Sequence, residues 1–145
     1  EAGVTRLFMP NIDDTTVEAM LRLCDAHECC YPMIGLHPTS VDENWKKRLE
    51  KVKGYLTSSY RFYGIGEVGI DLYWDKTFRK EQMWVFEEQV KWALEYGLPL
   101  IIHCRNCWKC CPAINIRRCG EFSIVLPEPE KMRSGCWNSN PSCWE

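Results

Sequence analysis

The sequence contains no long apolar run and no large excess of charge of either sign. Its 145 residues carry a net charge of −2 at pH 7, which excludes a protein that binds nucleic acid through an extended basic surface. Contact with phosphate groups would therefore need a local site or a metal ion. No apolar run approaches the roughly 18 residues of a membrane span, and no charged segment followed by an apolar one opens the chain. We expect a cytoplasmic protein without membrane contact.

Cysteine is unevenly distributed along the chain. Four of the ten cysteines lie in the first 104 residues, and the other six are crowded into the last 41. A secreted protein held by disulfides would spread them through a small, loop-rich chain, whereas the first part of this chain is regular and rich in helical patterns. We therefore expect reduced thiols. The change in composition near Arg105 predicts a boundary there.

Apolar residues recur in two alternating patterns before this boundary. Short apolar runs predict β-strands, and longer segments with apolar residues every three or four positions predict amphipathic helices. The order is βαβαβαβ, which favours an α/β fold with a parallel sheet covered by helices. The predicted strands are 5–10, 31–36, 63–71 and 98–102, and the predicted helices are 17–28, 45–56 and 83–94.

Each predicted strand is followed by polar residues. In parallel α/β folds the carboxyl ends of the strands lie on one rim, where ligands bind. The third strand is the clearest case, because Gly66 and Gly69 would let a ligand approach Glu67 closely. The simpler interpretation is that each polar residue caps the next helix, but four coincidences on one rim favour a site. The residues concerned are Asn11, Asp13, His37, Glu67, Asp71, His103 and Arg105.

The residue types on this rim suit a divalent metal. Glutamate and histidine, here Glu67 and His103, are ligands for zinc, manganese or magnesium. A metal at such a site activates water and polarises a phosphoryl or carbonyl oxygen, and two metals act on both the attacking and the leaving oxygen. Arg105 could hold an anionic group such as phosphate. Because Glu67 and His103 are too few to complete a catalytic metal site, the sequence predicts half of one.

Three segments at predicted strand ends carry a resemblance to a known family. They read IGLHP at 34–38, GEVGID at 66–71 and LPLIIHCR at 98–105. In this order they resemble consecutive signatures of the TatD family of metal-dependent deoxyribonucleases, and the resemblance covers roughly residues 1–105. It implies a (β/α)8 TIM-type barrel with a two-metal site that hydrolyses DNA phosphodiester bonds.

The resemblance also implies roles for individual residues. Glu67 matches the glutamate that bridges the metals, and His103 matches a ligand of the second metal. His37, Asp71 and Arg105 match other rim positions, and we interpret them as catalytic residues. The resemblance further implies a divalent metal, Mg, Mn or Zn, and DNA as the substrate of the intact enzyme.

The chain departs from the family pattern at both ends. A first strand with a His-x-His pair would precede Glu1, and the metal-binding His and Asp expected after Arg105 are missing from the sequence. We therefore expect residues 1–105 to form a partial barrel of about four βα units. Residues 106–145 are expected to form an irregular tail rich in Cys and Trp.

The tail itself has two interpretations. Cys104, Cys107 and Cys110 have the spacing of a zinc module, but no matching second pair of ligands follows. Alternatively, residues 119–128, read from the third base of each codon, permit a string that resembles the family's sixth strand with its metal-binding histidine. We favour a frame slip just after Arg105, which explains this match and the loss of hydrophobic periodicity together.

Three functions are open at this point. The first is a fragment of a TatD-like nuclease, weak or inactive because about half the barrel is missing, with exposed barrel edges that favour self-association. The second is a non-nuclease enzyme of the amidohydrolase type, since one architecture hosts many chemistries. The third is a non-catalytic remnant or interaction module that pairs an exposed edge with another chain.

Overall fold

The chain folds into alternating strands and helices. The computed structural model describes residues 3–106 and the backbone of residues 122–125. A short 3-10 helix, Pro38–Ser40, follows the second strand. The other elements are β1 (Leu7–Pro10), α1 (Val17–Ala26), β2 (Cys30–Met33), α2 (Trp45–Leu56), β3 (Ile65–Asp71), α3 (Arg79–Tyr96), β4 (Leu100–Arg105) and β5 (Phe122–Val125).

The first four strands are parallel neighbours in chain order. β1 pairs with β2, and β3 pairs with β4, both in parallel. Ile34, which directly follows β2, forms a parallel bridge with Ile65 of β3 and so joins the two pairs. The predicted series of parallel βα units is confirmed. The carboxyl ends of these four strands therefore face the same side of the sheet.

Each helix buries an apolar stripe in a common core. The removal of this surface from water is the main favourable term for folding. Helix α3 ends at Gly97, whose φ of 63° is left-handed and whose N–H donates to the carbonyl of Ala93. No helix in the part that the structure describes is both long enough and apolar enough to cross a bilayer. The stripes are Val17, Met20 and Leu21 in α1, Leu49, Val52 and Leu56 in α2, and Val85, Phe86, Val90, Trp92 and Ala93 in α3.

Strand β3 contains one residue more than the stretch of β4 that it pairs with. Ile65 lies opposite Leu100, but Val68 lies opposite Ile102, so three steps along β3 match two along β4. Such a bulge locally changes the direction of a side chain and is frequent beside active sites. Glu67 lies inside this irregular segment. The bulge therefore sets where the Glu67 carboxylate points relative to β4.

Strand β5 covers the other edge of β4 and was not predicted from the sequence. It runs antiparallel, with Phe122 opposite His103 and Val125 opposite Leu100. The pairing satisfies backbone groups of β4, but its direction breaks the series of parallel strands. The remainder of the predicted irregular tail beyond Asn106, and the frame-slip hypothesis with it, lie outside the described residues and stay predictions.

The expectation of reduced thiols is only partly met. Among the described cysteines, Cys24, Cys29 and Cys30 are free. Cys104, at the end of β4, is disulfide-bonded, so the expectation is wrong at this position. The spacing of cysteines in the sequence does not show which of them lie close enough in the fold to form a disulfide.

Candidate metal centre

Three side chains from neighbouring strand ends meet on the rim. His37 follows β2, Glu67 lies in β3 and His103 lies in β4. One potential ligand atom from each lies within 4.8 Å of the others. The Oε1 atom of Glu67 is 3.2 Å from Nδ1 of His103 and 3.8 Å from Nε2 of His37. We call these three residues the rim cluster.

Asp71 holds the other side of the His103 ring. Its Oδ2 atom lies 2.9 Å from Nε2 of His103, so a carboxylate faces each ring nitrogen. The hydrogen bonds with Glu67 and Asp71 outweigh burial and raise the pKa of His103 above its ordinary value. The same contact with His103 lowers the pKa of the Glu67 carboxyl. In the absence of a metal, the carboxylate at each ring nitrogen therefore favours the protonated form of His103.

His37 has the opposite electrostatic character. Burial, and after it the charge of His103, lower the pKa of His37, so this ring is neutral. Its Nδ1 atom lies 3.2 Å from the backbone nitrogen of Thr39 and 2.7 Å from the Thr39 hydroxyl oxygen. Nδ1 can accept from the backbone N–H in one tautomer and donate to the hydroxyl in the other. The second tautomer leaves Nε2, which faces Glu67, able to bind a metal.

Strands β3 and β4 approach each other closely at Gly69, which pairs with His103. The φ of Gly69 is 143°, a conformation that residues with a side chain rarely adopt. A Cβ atom at this position would lie 1.9 Å from the carbonyl oxygen of His103. Glycine is therefore required where the two strands bring Glu67 and Asp71 to opposite sides of the His103 ring.

Two buried glutamines of α3 form hydrogen bonds with backbone groups next to the rim cluster, and the sequence interpretation missed both. Gln89 is fully buried; it accepts the N–H of Leu36 at 2.6 Å and donates to the carbonyl of Leu36 at 3.2 Å. Gln82 accepts the N–H of Asp71 at 2.9 Å. These bonds fix the residue before His37 and the backbone of Asp71. The available signal was a pair of amides on the buried face of a helix, since buried polar groups need partners.

Asn11 and Asp13, which the sequence interpretation placed on the rim, have structural partners. Asn11 is buried and exchanges two hydrogen bonds of 2.8 Å with the backbone of Gly35, which joins the ends of β1 and β2. Asp13 accepts the N–H groups of Thr15 and Thr16 at 2.9 and 3.2 Å. It thereby holds the turn that precedes α1. For Asp13 the simpler interpretation, a residue that prepares the next helix, agrees with these contacts.

Arg105 lies in register with Asp71 at the end of β4. Its guanidinium carbon is 4.0 Å from the ring centre of Tyr73 and 5.6 Å from that of Trp74. These contacts place the cation against two aromatic rings that follow β3. Its predicted role in holding an anion stays a prediction.

The chemistry of the donor set fits a divalent metal. Two imidazoles and one carboxylate are ligands that zinc and manganese accept. The contact of Asp71 with Nε2 of His103 repeats the arrangement in which a carboxylate orients a metal-binding histidine and leaves its other nitrogen for the metal. Every buried polar side-chain atom in the described residues has a hydrogen-bond partner. The buried polar side-chain atoms around the rim cluster therefore have their hydrogen bonds satisfied within the chain.

Comparison with known proteins gives matches of this chain to one family. The family model described as TatD-related DNase matches residues 1–119. The metal-dependent hydrolase YjjV of Escherichia coli K12 is 30% identical over 107 residues, which are 73% of this chain and 41% of that protein. The 3'-5' ssDNA/RNA exonuclease TatD of Pantoea ananatis is 27% identical over 107 residues, again 73% of this chain and 41% of the relative.

The fold agrees with these sequence matches. The crystal structure of YjjV, a TatD homologue from Escherichia coli K12, superimposes with a TM-score of 0.67 at 30% identity, covering 73% of this chain and 41% of that one. The chain thus has the fold of part of an α/β barrel and spans about two fifths of the length of the relatives that it matches. It belongs to the family of TatD-related DNases.

Proposed function

We propose that this chain forms the metal-binding rim of a nuclease that hydrolyses phosphodiester bonds of single-stranded nucleic acid. The observation that carries the proposal is the rim cluster, in which His37, Glu67 and His103 present potential ligand atoms within 4.8 Å of one another. The relative named as an exonuclease for single-stranded DNA and RNA supports this substrate class. The same cluster would suit other hydrolytic substrates, so the choice of nucleic acid rests on that relative.

Each residue of the rim has a separate task in this proposal. Glu67 and His103 are metal ligands, and His37 contributes Nε2 as a third donor. Asp71 keeps the proton of His103 on Nε2, which leaves Nδ1 for the metal. Arg105 binds a phosphate oxygen of the substrate. A divalent metal bound by these residues supplies Lewis acidity, which activates water and stabilises the charge that develops on the phosphate.

The proposal predicts metal-dependent cleavage of DNA. The purified chain, freed of metal and then supplied with Mg²⁺, Mn²⁺ or Zn²⁺, should shorten an end-labelled single-stranded DNA at a low rate, because it spans only about two fifths of the length of its relatives, and EDTA should stop the reaction. Gel electrophoresis of the labelled products measures the rate. Cleavage that persists in EDTA, or no cleavage with any of the three ions, would contradict the proposal.

Metal affinity should rise with pH because a metal must displace the proton on Nδ1 of His103. His103 has a raised pKa, so it stays protonated to a higher pH than an ordinary histidine and competes with the metal there. Below that pKa the affinity should increase by about tenfold per pH unit. Isothermal titration calorimetry with Zn²⁺ between about pH 5 and 8 measures the slope.

Without metal, the stability of the fold should fall as the pH rises through the raised pKa of His103. A raised pKa means that the contacts of His103 stabilise the fold at low pH, and that this contribution is lost as the pH rises through that pKa. The lowered pKa of Glu67 adds stability that is lost only as the pH falls through it.

Asp71→Asn should move the pH profile of metal affinity to lower pH, because it removes one of the two carboxylates that raise the pKa of His103. Asp25→Asn, on the exposed surface of α1, is the matched control and should leave the profile unchanged.

A further inference from the structure

Two exposed aromatic rings and a guanidinium form a corner directly after β3. Tyr73 and Trp74 are 52% and 74% exposed, and their ring centres lie 4.8 Å apart at an interplanar angle of 87°. The guanidinium of Arg105 lies against both rings, nearer to Tyr73. We call these three residues the aromatic corner.

The aromatic corner is tied to the metal centre through Asp71. The Oδ1 atom of Asp71 accepts the N–H of Tyr73 at 2.9 Å, and its Oδ2 atom contacts His103 at 2.9 Å. The carbonyl of Arg105 accepts the N–H of Leu72 at 3.0 Å. One carboxylate and one backbone bond therefore fix the positions of the corner and of the rim cluster relative to each other.

A small cavity lies beside Trp74. It has a volume of about 90 Å³, and its lining includes Trp74, Asp71 and Thr39, the last of which contacts His37. This volume is too small for a nucleobase, so a base would have to rest on the exposed face of Trp74 and not inside the cavity.

The other tryptophans described by the structure are placed differently. Trp92 is 3% exposed and lies in the core, and Trp45 packs against Trp84 with ring centres 4.9 Å apart. Trp74 is the most exposed large apolar side chain in the described residues. Burial of such a ring would be favourable, so a tryptophan with only a structural role would be expected in the core.

The cation of the aromatic corner is Arg105, whose guanidinium lies against both rings. Lys76 and Lys80 are exposed shortly after Trp74, and the carboxylates of Asp71 and Asp75 line the cavity beside that ring. Aromatic faces combined with cationic side chains are the combination by which proteins hold unpaired nucleotides, through stacking on the bases and attraction of the phosphates.

We propose that the aromatic corner is a subsite for one unpaired nucleotide of a single-stranded nucleic acid, next to the metal centre. The base stacks on the indole of Trp74, and the adjacent phosphate contacts the guanidinium of Arg105, which the ring of Tyr73 keeps in place. The subsite deepens the proposed function and rests on it for the class of substrate. It selects unpaired over paired nucleotides, because a base within a duplex has no free face for Trp74.

Binding in the absence of catalysis tests the subsite. Fluorescence anisotropy in EDTA compares a labelled oligothymidylate of about 12 nucleotides with an abasic strand of equal length. The wild type should bind the oligothymidylate more tightly. Trp74→Ala should weaken that binding by about tenfold and leave the abasic strand unaffected. Arg105→Ala should weaken both strands alike and lower the salt dependence by about one unit of slope.

Trp84→Ala is the matched control, because Trp84 is a partly exposed tryptophan on α3 that packs against Trp45. It should leave both affinities unchanged. Equal affinity of the wild type for the two strands, or an unchanged affinity of Trp74→Ala for oligothymidylate, would overturn the subsite. Because the measurement needs no metal, it separates the subsite from the nuclease activity: stacking without cleavage rejects the proposed function alone, and cleavage without stacking rejects the subsite alone.

Discussion

Glu67→Gln should abolish metal-dependent cleavage and weaken divalent-metal binding by more than about 100-fold. The substitution keeps the size of the side chain and removes the charge that faces both His37 and His103. Loss of a residue that only orients a metal ligand already costs about 10–100-fold in affinity or activity, so loss of a ligand should cost more. Calorimetric titration with Mn²⁺ or Zn²⁺ measures the affinity, and the cleavage assay measures the rate.

Glu50→Gln is the control for this substitution. Glu50 lies on the exposed face of α2, and its replacement makes the same change in net charge away from the rim. It should leave metal affinity and cleavage at wild-type values. If Glu67→Gln bound metal as tightly as Glu50→Gln, the assignment of Glu67 as a ligand would be wrong.

Gly69→Ala should destabilise the fold more than any other single methyl addition in the described strands. The backbone conformation alone costs a residue with a side chain about 1–3 kcal/mol. The new Cβ would also lie 1.9 Å from the backbone carbonyl of His103, which cannot move without displacing β4. Since typical domains have a free energy of unfolding of about 5–15 kcal/mol, the urea midpoint should fall sharply and metal binding should fall with it.

Gly54→Ala provides the opposite expectation for the same chemical change. Gly54 lies within α2, and a Cβ built there has no atom within 4 Å. Alanine is a better helix former than glycine, so this variant should gain about 0.5–1 kcal/mol of stability. Equal urea midpoints for the two variants would show that the close approach at Gly69 does not limit stability.

Hydrophobic periodicity was enough to predict the strands and helices of the first 105 residues in their correct order. The boundaries were less accurate. Helix α3 begins at Arg79, whereas the apolar stripe used for the prediction begins at Met83. The intervening residues are polar but favour helix intrinsically, so they extend the helix without adding to the apolar pattern.

The candidate site was predictable only as far as parallel topology places strand ends together. That rule applies to His37, Glu67 and His103, whose potential ligand atoms lie within 4.8 Å of one another. It cannot distinguish residues that face the site from residues that hold the backbone. Asn11 is the clearest example, because its partner in space, Gly35, is remote in sequence.

Other features depend on geometry that no sequence pattern encodes. The bulge in β3 appears only when β3 and β4 are paired residue by residue. The contact between Asp71 and His103 follows from that register and from the glycine that permits it. Strand β5 was missed because its segment was assigned to an irregular tail, although a run such as Phe122–Val125 contains residues common in strands.

The two carboxylates around His103 also set how many cations the centre can balance. Glu67 and Asp71 supply at most two negative charges to the four side chains, because the two imidazoles carry no charge when neutral and oppose the carboxylates when protonated. When one divalent ion replaces the proton of His103, the two carboxylates neutralise it completely. A second divalent ion would leave an uncompensated double positive charge, which these four side chains cannot offset. We therefore expect a stoichiometry of one ion per chain in the free protein, with a second entering only together with an anionic ligand such as a nucleic-acid phosphate.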